Sequence, residues 1–75
     1  MLETVIRIIR EQEMVNPETV ITVDTRLAKE LYLDSLDLVE IVCSLEEEWN
    51  IAIPNENMAD SQTVADLVAA VENNL

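Results

Sequence analysis

The segment from residue 33 to residue 49, which reads LDSLDLVEIVCSLEEEW, predicts a helix from Leu36 to Trp49. Ser35 is a favourable N-cap, because a serine side chain accepts a hydrogen bond from a free amide of the first helical turn. Asn50 follows the segment and tolerates the left-handed backbone that often ends a helix. The spacing predicts a core-facing stripe: Leu38, Val42, Leu45 and Trp49. A second apolar row is expected to be half buried: Leu36, Val39 and Cys43.

Shorter helices are predicted on both sides of this segment. Residues 2–14 place apolar side chains three and four positions apart, and an asparagine-proline pair then ends that helix. Thr63 is the predicted N-cap of a last helix, and Asp66 three residues later completes a capping box. The apolar face of this helix is Val64, Leu67, Val68, Val71 and Leu75. A minor helix is predicted over residues 55–60.

Residues 15–34 are predicted to form a long loop whose apolar side chains plug the core. Val20, Ile21 and Val23 resemble a strand, but no second strand is available to satisfy its backbone. A short helical turn is expected from Asp24 toward Leu31. The sequence therefore predicts an all-α fold in one domain, residues 1–75: a small bundle of three main helices plus one short helix, with a long first loop.

The composition excludes several classes of function. Sixteen acidic residues against four basic ones give a net charge of −12, which would repel the phosphates of a nucleic acid. Histidine and glycine are both absent from the sequence. The commonest general base, the commonest metal ligand and glycine-rich phosphate loops are therefore missing, and no metal site is expected. Left-handed backbone positions are expected to fall on Asn or Asp.

The single cysteine and the length of the apolar runs indicate where in the cell the protein is expected. Cys43 has no second cysteine to pair with, which favours a reducing compartment, and a cytoplasmic location is expected. No apolar run approaches the roughly 20 residues that cross a bilayer. Charged side chains within the first ten residues argue against a secretory signal. Without a histidine to activate it, Cys43 is interpreted as a small hydrophobic residue rather than a nucleophile.

Ser35 has two interpretations on these features alone. The start of a helix offers free amides and a favourable dipole, so a phosphate attached to the hydroxyl would be well placed. The simpler interpretation is a structural cap, and it is favoured here because capping serines are common.

The wider pattern closely resembles the acyl carrier protein family. It consists of D-S-L-D-x-V-E at 34–40, L-E-E-E and an aromatic residue at 45–49, and I-x-I-P at 51–54. The resemblance implies that Ser35 is esterified to 4′-phosphopantetheine by a separate phosphopantetheinyl transferase. The thiol of that arm then carries acyl groups as thioesters, and the protein itself is not an enzyme.

The resemblance also implies roles for other residues, with Asp34 flanking the attachment site. Enzymes with basic patches are expected to bind Leu36, Asp37, Glu40, Cys43 and Glu47. The acyl pocket is expected to be lined by Val42, Leu45, Trp49, Ile53 and Leu67, which are equally interpretable as ordinary core. Glutamates in the last turn of a helix are disfavoured by its dipole, which supports a binding role for the acidic face.

The leading hypothesis is a discrete acyl carrier of fatty acid, polyketide or related synthesis. Its partners would be the transferase and the acyl-loading, elongating or acyl-transfer enzymes; a monomer that binds no nucleic acid is expected. Two alternatives stay open: an aminoacyl carrier, disfavoured because such carriers usually have glycines before the serine, and an interaction subunit without a prosthetic group. Tyr32 stands where the family usually has glycine, so the loop is expected to be stiffer or differently folded.

Overall fold

Three α-helices form the framework of the residues that the computed structural model describes, 1–54 and 61–75. They are α1 (Leu2–Arg10), α2 (Ser35–Trp49) and α3 (Val64–Asn73). The predicted all-α fold with a long first loop is confirmed, while the minor helix predicted over 55–60 lies outside the described residues. Within the described ranges, no helix combines the length and apolar character needed to cross a membrane.

The core is built from one face of each helix together with side chains of the connections. The helices contribute Val5, Ile8, Ile9, Ile41, Val42, Leu45, Val64, Leu67, Ala70 and Val71. The connections contribute Val15, Ile21, Leu27, Leu31, Leu33 and Ile53. The prediction that loop side chains plug the core is thus confirmed for these residues, whereas Val20 and Val23 are exposed. Helices of this length depend on such packing, since they are marginal in isolation.

Hydrogen bonds hold the long loop in place near its start and near its middle. The Arg10 guanidinium donates to two loop carbonyls, at 2.9 and 3.1 Å. Farther along, the carbonyls of Val23 and Thr25 accept from the amides of Ala65 and Val64, at 2.9 and 3.1 Å. Because first-turn amides of a helix lack intrahelical partners, these bonds complete the N-terminus of α3 and join it to the loop.

Two predicted helix ends are wrong. The first helix ends at Arg10 rather than at residue 14. The amides of Gln12 and Val15 donate to carbonyls three residues back at 3.1 Å, so the chain tightens into turns that bury Val15. Leu75, predicted on the face of the last helix, lies beyond Asn73 and is exposed.

The buried face of α2 also differs from the predicted stripe. Ile41 is fully buried although the stripe omitted it, whereas Leu38 and Trp49 are only partly buried against the core. This orientation turns the second row outward, so Leu36, Val39 and Cys43 are exposed rather than half buried.

Two described residues, Asn50 and Tyr32, have left-handed backbone conformations. Asn50 caps α2 with φ 53°, as predicted. Tyr32 has φ 58°, so the expectation that such positions fall on Asn or Asp is wrong there. The Tyr32 amide donates to the Ala28 carbonyl at 3.1 Å, the bond of a left-handed C-terminal cap. Tyr32 thereby ends the turn predicted toward Leu31 and redirects the chain into α2.

Candidate functional site

The N-cap of α2 is Asp34, so the prediction that Ser35 caps this helix is wrong. The Asp34 carboxylate accepts from the Asp37 amide at 2.9 Å, and the Asp37 carboxylate accepts from the Asp34 amide at 3.1 Å. This capping box closes the start of the helix without the side chain of Ser35. The D-x-x-D spacing of 34–37 is the sequence signal that would have identified it.

Ser35 is the first residue of α2 and is exposed. Among the described residues its hydroxyl has no hydrogen-bond partner, because the capping box leaves it unused. The chain just before it is fixed, since Leu33 is buried and its amide donates to the Leu27 carbonyl at 3.1 Å. The result is an accessible hydroxyl on a firmly anchored backbone.

The electrostatics at this helix start are set by Asp34. The hydrogen bond from the Asp37 amide lowers the pKa of the Asp34 carboxyl, which favours its ionised form. The positive end of the helix dipole is therefore already matched by a carboxylate. A phosphate on Ser35 would have to share this end with a negative charge, so the site is not a preformed anion cradle.

A line of exposed side chains runs along α2 from the residue after Ser35 toward the C-terminal end of the helix. It consists of Leu36, Glu40, Cys43 and Glu47, which alternate in steps of four and three residues and so share one face. Asp37 lies beside this line, half buried, with its carboxylate held in the capping box. We call the line of Leu36, Glu40, Cys43 and Glu47 the acidic line. All five predicted partner-binding residues therefore lie on it or, in the case of Asp37, beside it.

The other two glutamates of the last turn have structural partners. The Glu46 carboxylate accepts from the Ile53 amide at 2.8 Å and holds the chain that leaves α2. Glu48 pairs with Arg7 at 2.9 Å and joins α2 to α1. Of the three adjacent glutamates, Glu47 alone has no side-chain partner among the described residues.

Acidic side chains also lie on the chain that follows α1, opposite α2. An open groove of about 700 Å³ separates this chain segment from α2. Its lining residues are Glu11, Gln12, Glu13, Met14, Asp37 and Glu40. Glu11 therefore faces the same space as Glu40, and the two belong to one acidic surface.

The five predicted pocket residues meet in the core. Val42, Leu45, Ile53 and Leu67 are buried in one hydrophobic cluster, and Trp49 is half buried against it. Their interpretation as core is therefore correct. A role in holding an acyl chain stays a prediction.

The arrangement limits the chemistry of the site. Ser35 offers a hydroxyl, but the sequence contains no histidine, and the neighbouring carboxylates are occupied in the cap. The small helical bundle therefore presents an exposed serine at the start of α2 with no histidine to activate it.

Comparison with known proteins identifies the family. The model of the family described as "Phosphopantetheine attachment site" matches residues 3–71. The acyl carrier protein of Wolinella succinogenes is 43% identical over 67 residues, which cover 89% of this chain and 87% of that protein. The acyl carrier protein of Thermosynechococcus vestitus is 39% identical over 72 residues, covering 96% and 88% respectively.

A solved structure supports the same assignment. A chain assigned as an acyl carrier protein from Mycobacterium tuberculosis superposes with a TM-score of 0.74 at 31% identity, covering 95% of this chain and 88% of that one. The chain belongs to the acyl carrier protein family and carries a covalent 4′-phosphopantetheine arm. The exposed hydroxyl of Ser35 fits such an attachment, because no contact of the fold has to break to free it.

Proposed function

We propose that Ser35 is the attachment site and that the protein carries acyl intermediates between enzymes of fatty acid, polyketide or related synthesis. The observation that carries this proposal is the capping box of Asp34 and Asp37, which leaves the Ser35 hydroxyl exposed and unpaired. The arm supplies a terminal thiol that holds acyl groups as thioesters.

The chain's own residues hold Ser35 in place rather than activate it. Leu33 and the capping box fix the backbone on either side, so an approaching enzyme meets the serine at one backbone position. The Ser35 proton has no histidine to receive it anywhere in the sequence, so the base belongs to the transferase. This supports a carrier that is a substrate of other enzymes and not a catalyst.

The acidic line supports docking of enzymes with basic patches. Glu40 and Glu47 are exposed and without side-chain partners among the described residues, so their charges are available to a partner. Complementary charge chiefly raises the rate of association and makes it fall with salt. Because the line begins at Leu36, the residue after Ser35, an enzyme bound along it receives the arm at one end of its interface.

The free thiol of Cys43 supports a monomer in a reducing compartment, the cytoplasm. Cys43 is exposed, and an exposed thiol in an oxidising compartment would be prone to join two chains. Copies that each carry a charge of −12 also repel one another.

The test is the intact mass of the protein after incubation with a phosphopantetheinyl transferase and its cosubstrate. We expect one added phosphopantetheine on the wild type and none on Ser35→Ala. An unmodified wild type would contradict attachment at Ser35. The acyl group found on protein from the native host would separate acyl from aminoacyl carriers.

A further inference from the structure

Tyr32 combines two unusual features, a left-handed backbone conformation and an exposed aromatic ring. Its φ of 58° lies in the left-handed region, which is unfavourable for a residue with a Cβ atom. Its side chain is 77% exposed, so the ring gains little from the core in return. Strained positions persist where the surroundings impose them and are concentrated at functional sites. Asn50 has the same backbone conformation, but it ends α2 and its residue type tolerates the conformation.

The position of Tyr32 relates this residue to Ser35. Leu33 is buried immediately after it, so the chain turns Tyr32 outward just before the helix begins. On the other side of Ser35, Leu36 is 70% exposed and Val39 is 44% exposed. Tyr32, Leu36 and Val39 therefore supply exposed apolar surface on both sides of the proposed attachment site.

The charge around these three side chains specifies their partner. The charged residues in the cap and first turns of α2 are all acidic: Asp34, Asp37 and Glu40. A surface that complements them has lysines and arginines around an apolar recess. A second copy of this chain does not, because it has the same net charge of −12. Tyrosine is among the residues most enriched at the centres of protein interfaces.

We propose that Tyr32 is a specificity-determining contact for the enzymes that act on Ser35, beginning with the phosphopantetheinyl transferase. The inference rests on the proposed function of Ser35. The ring packs into an apolar recess of the enzyme, within a basic rim that meets the carboxylates. This gives the docking surface an anchor before Ser35, in addition to the acidic line after it.

The test is the steady-state rate of Ser35 modification at varied carrier concentration. Tyr32→Gly and Tyr32→Asn both suit the left-handed backbone, and both remove the ring. We expect each to raise KM by about five- to tenfold with kcat unchanged, because a binding contact is lost. Tyr32→Phe keeps the ring and should retain the wild-type KM. Asn50→Gly is the matched control and should change neither parameter.

Each outcome bears on the proposal. Thermal melting should place Tyr32→Gly at or above the wild type, which excludes unfolding as the cause of a raised KM. An unchanged KM in Tyr32→Gly and Tyr32→Asn, with the mass shift still present, would overturn the Tyr32 contact and leave the Ser35 proposal intact. An equal rise in Asn50→Gly, or a wild-type dimer that Tyr32→Gly dissociates, would also overturn it. Absence of any mass shift on the wild type would overturn both.

Discussion

The carboxylate of Asp37 accepts a hydrogen bond from the amide of Asp34 at 3.1 Å, while the carboxylate of Asp34 accepts from the amide of Asp37 at 2.9 Å. This reciprocal pair starts α2 without using the side chain of Ser35. Ser35, which lies between them, can therefore be modified without loss of the helix cap, and this separates the stability of the fold from the chemistry proposed for the serine.

The first prediction compares substitutions at adjacent positions. Asp34→Ala should lower the free energy of unfolding by about 1 kcal/mol, because it removes the N-cap. Ser35→Ala should leave it nearly unchanged, since the hydroxyl caps nothing and alanine is the better helix former. Urea unfolding followed by circular dichroism measures both. Equal losses in the two variants would mean that the serine takes part in the cap.

The second prediction concerns acid. Hydrogen bonds from the Gln62 and Thr63 amides lower the pKa of Asp66, and the Asp37 amide lowers the pKa of Asp34. A carboxyl with a lowered pKa in the folded state stabilises the fold above its unfolded pKa of about 3.9, and this stabilisation is lost as pH falls through the folded pKa. The stabilisation that these two carboxyls provide should therefore be lost below about pH 4.

Asp66→Asn provides the comparison. It removes one of the two carboxyls whose pKa is lowered. The unfolding free energy should therefore depend less steeply on pH below about 4 than in the wild type. Urea unfolding at a series of acidic pH values measures this dependence. Identical pH dependence in the two proteins would show that protonation of Asp66 does not contribute.

The sequence predicted the helix caps well, because a cap depends on residues that are close together in the chain. The capping box of Thr63 and Asp66 and the left-handed Asn50 were both predicted and confirmed. The start of α2 was placed one residue late, since Asp34 and Ser35 are both good caps. Only the reciprocal bond from Asp37 decides between them.

Other features depend on tertiary contacts and were missed for that reason. Residue type predicted Asn or Asp at left-handed positions, but the need to bury Leu33 and expose the next helix start imposes that conformation on Tyr32. The burial of Ile41 was also missed, because the spacing of α2 fits more than one rotation of the helix. The exposure of Cys43 follows from the same rotation.

The third prediction concerns salt. Arg7–Glu48 is the one ion pair within the described part of the chain, so most of the net charge of −12 is uncompensated by close partners. Added salt shortens the screening length to about 8 Å at physiological ionic strength and weakens the repulsion. The melting temperature should rise with sodium chloride and further with magnesium, which can bridge carboxylates. A melting temperature independent of both would contradict this account.

The fourth prediction tests the acidic line. Glu40→Lys and Glu47→Lys should each raise the KM of the transferase for the carrier by about three- to tenfold at low salt, with a smaller effect at high salt. Circular dichroism should be unchanged, because single exposed charges contribute little to stability. Steady-state kinetics at two salt concentrations measures the effect.

The matched control for this experiment is Glu72→Lys. Glu72 is exposed on α3, and its substitution by lysine changes the net charge by the same amount as Glu40→Lys. Glu11 is unsuitable, because it lines the groove shared with Glu40. If Glu72→Lys slows the transferase as much as Glu40→Lys does, the effect is one of total charge and not of the acidic line.

The central claim is that Ser35 carries the arm, and intact mass measurement of wild type and Ser35→Ala after treatment with a phosphopantetheinyl transferase tests it most directly. The account predicts one added phosphopantetheine on the wild type and no addition on Ser35→Ala, with the helical circular dichroism spectrum retained in both. Modification of Ser35→Ala to the same extent as the wild type would contradict it.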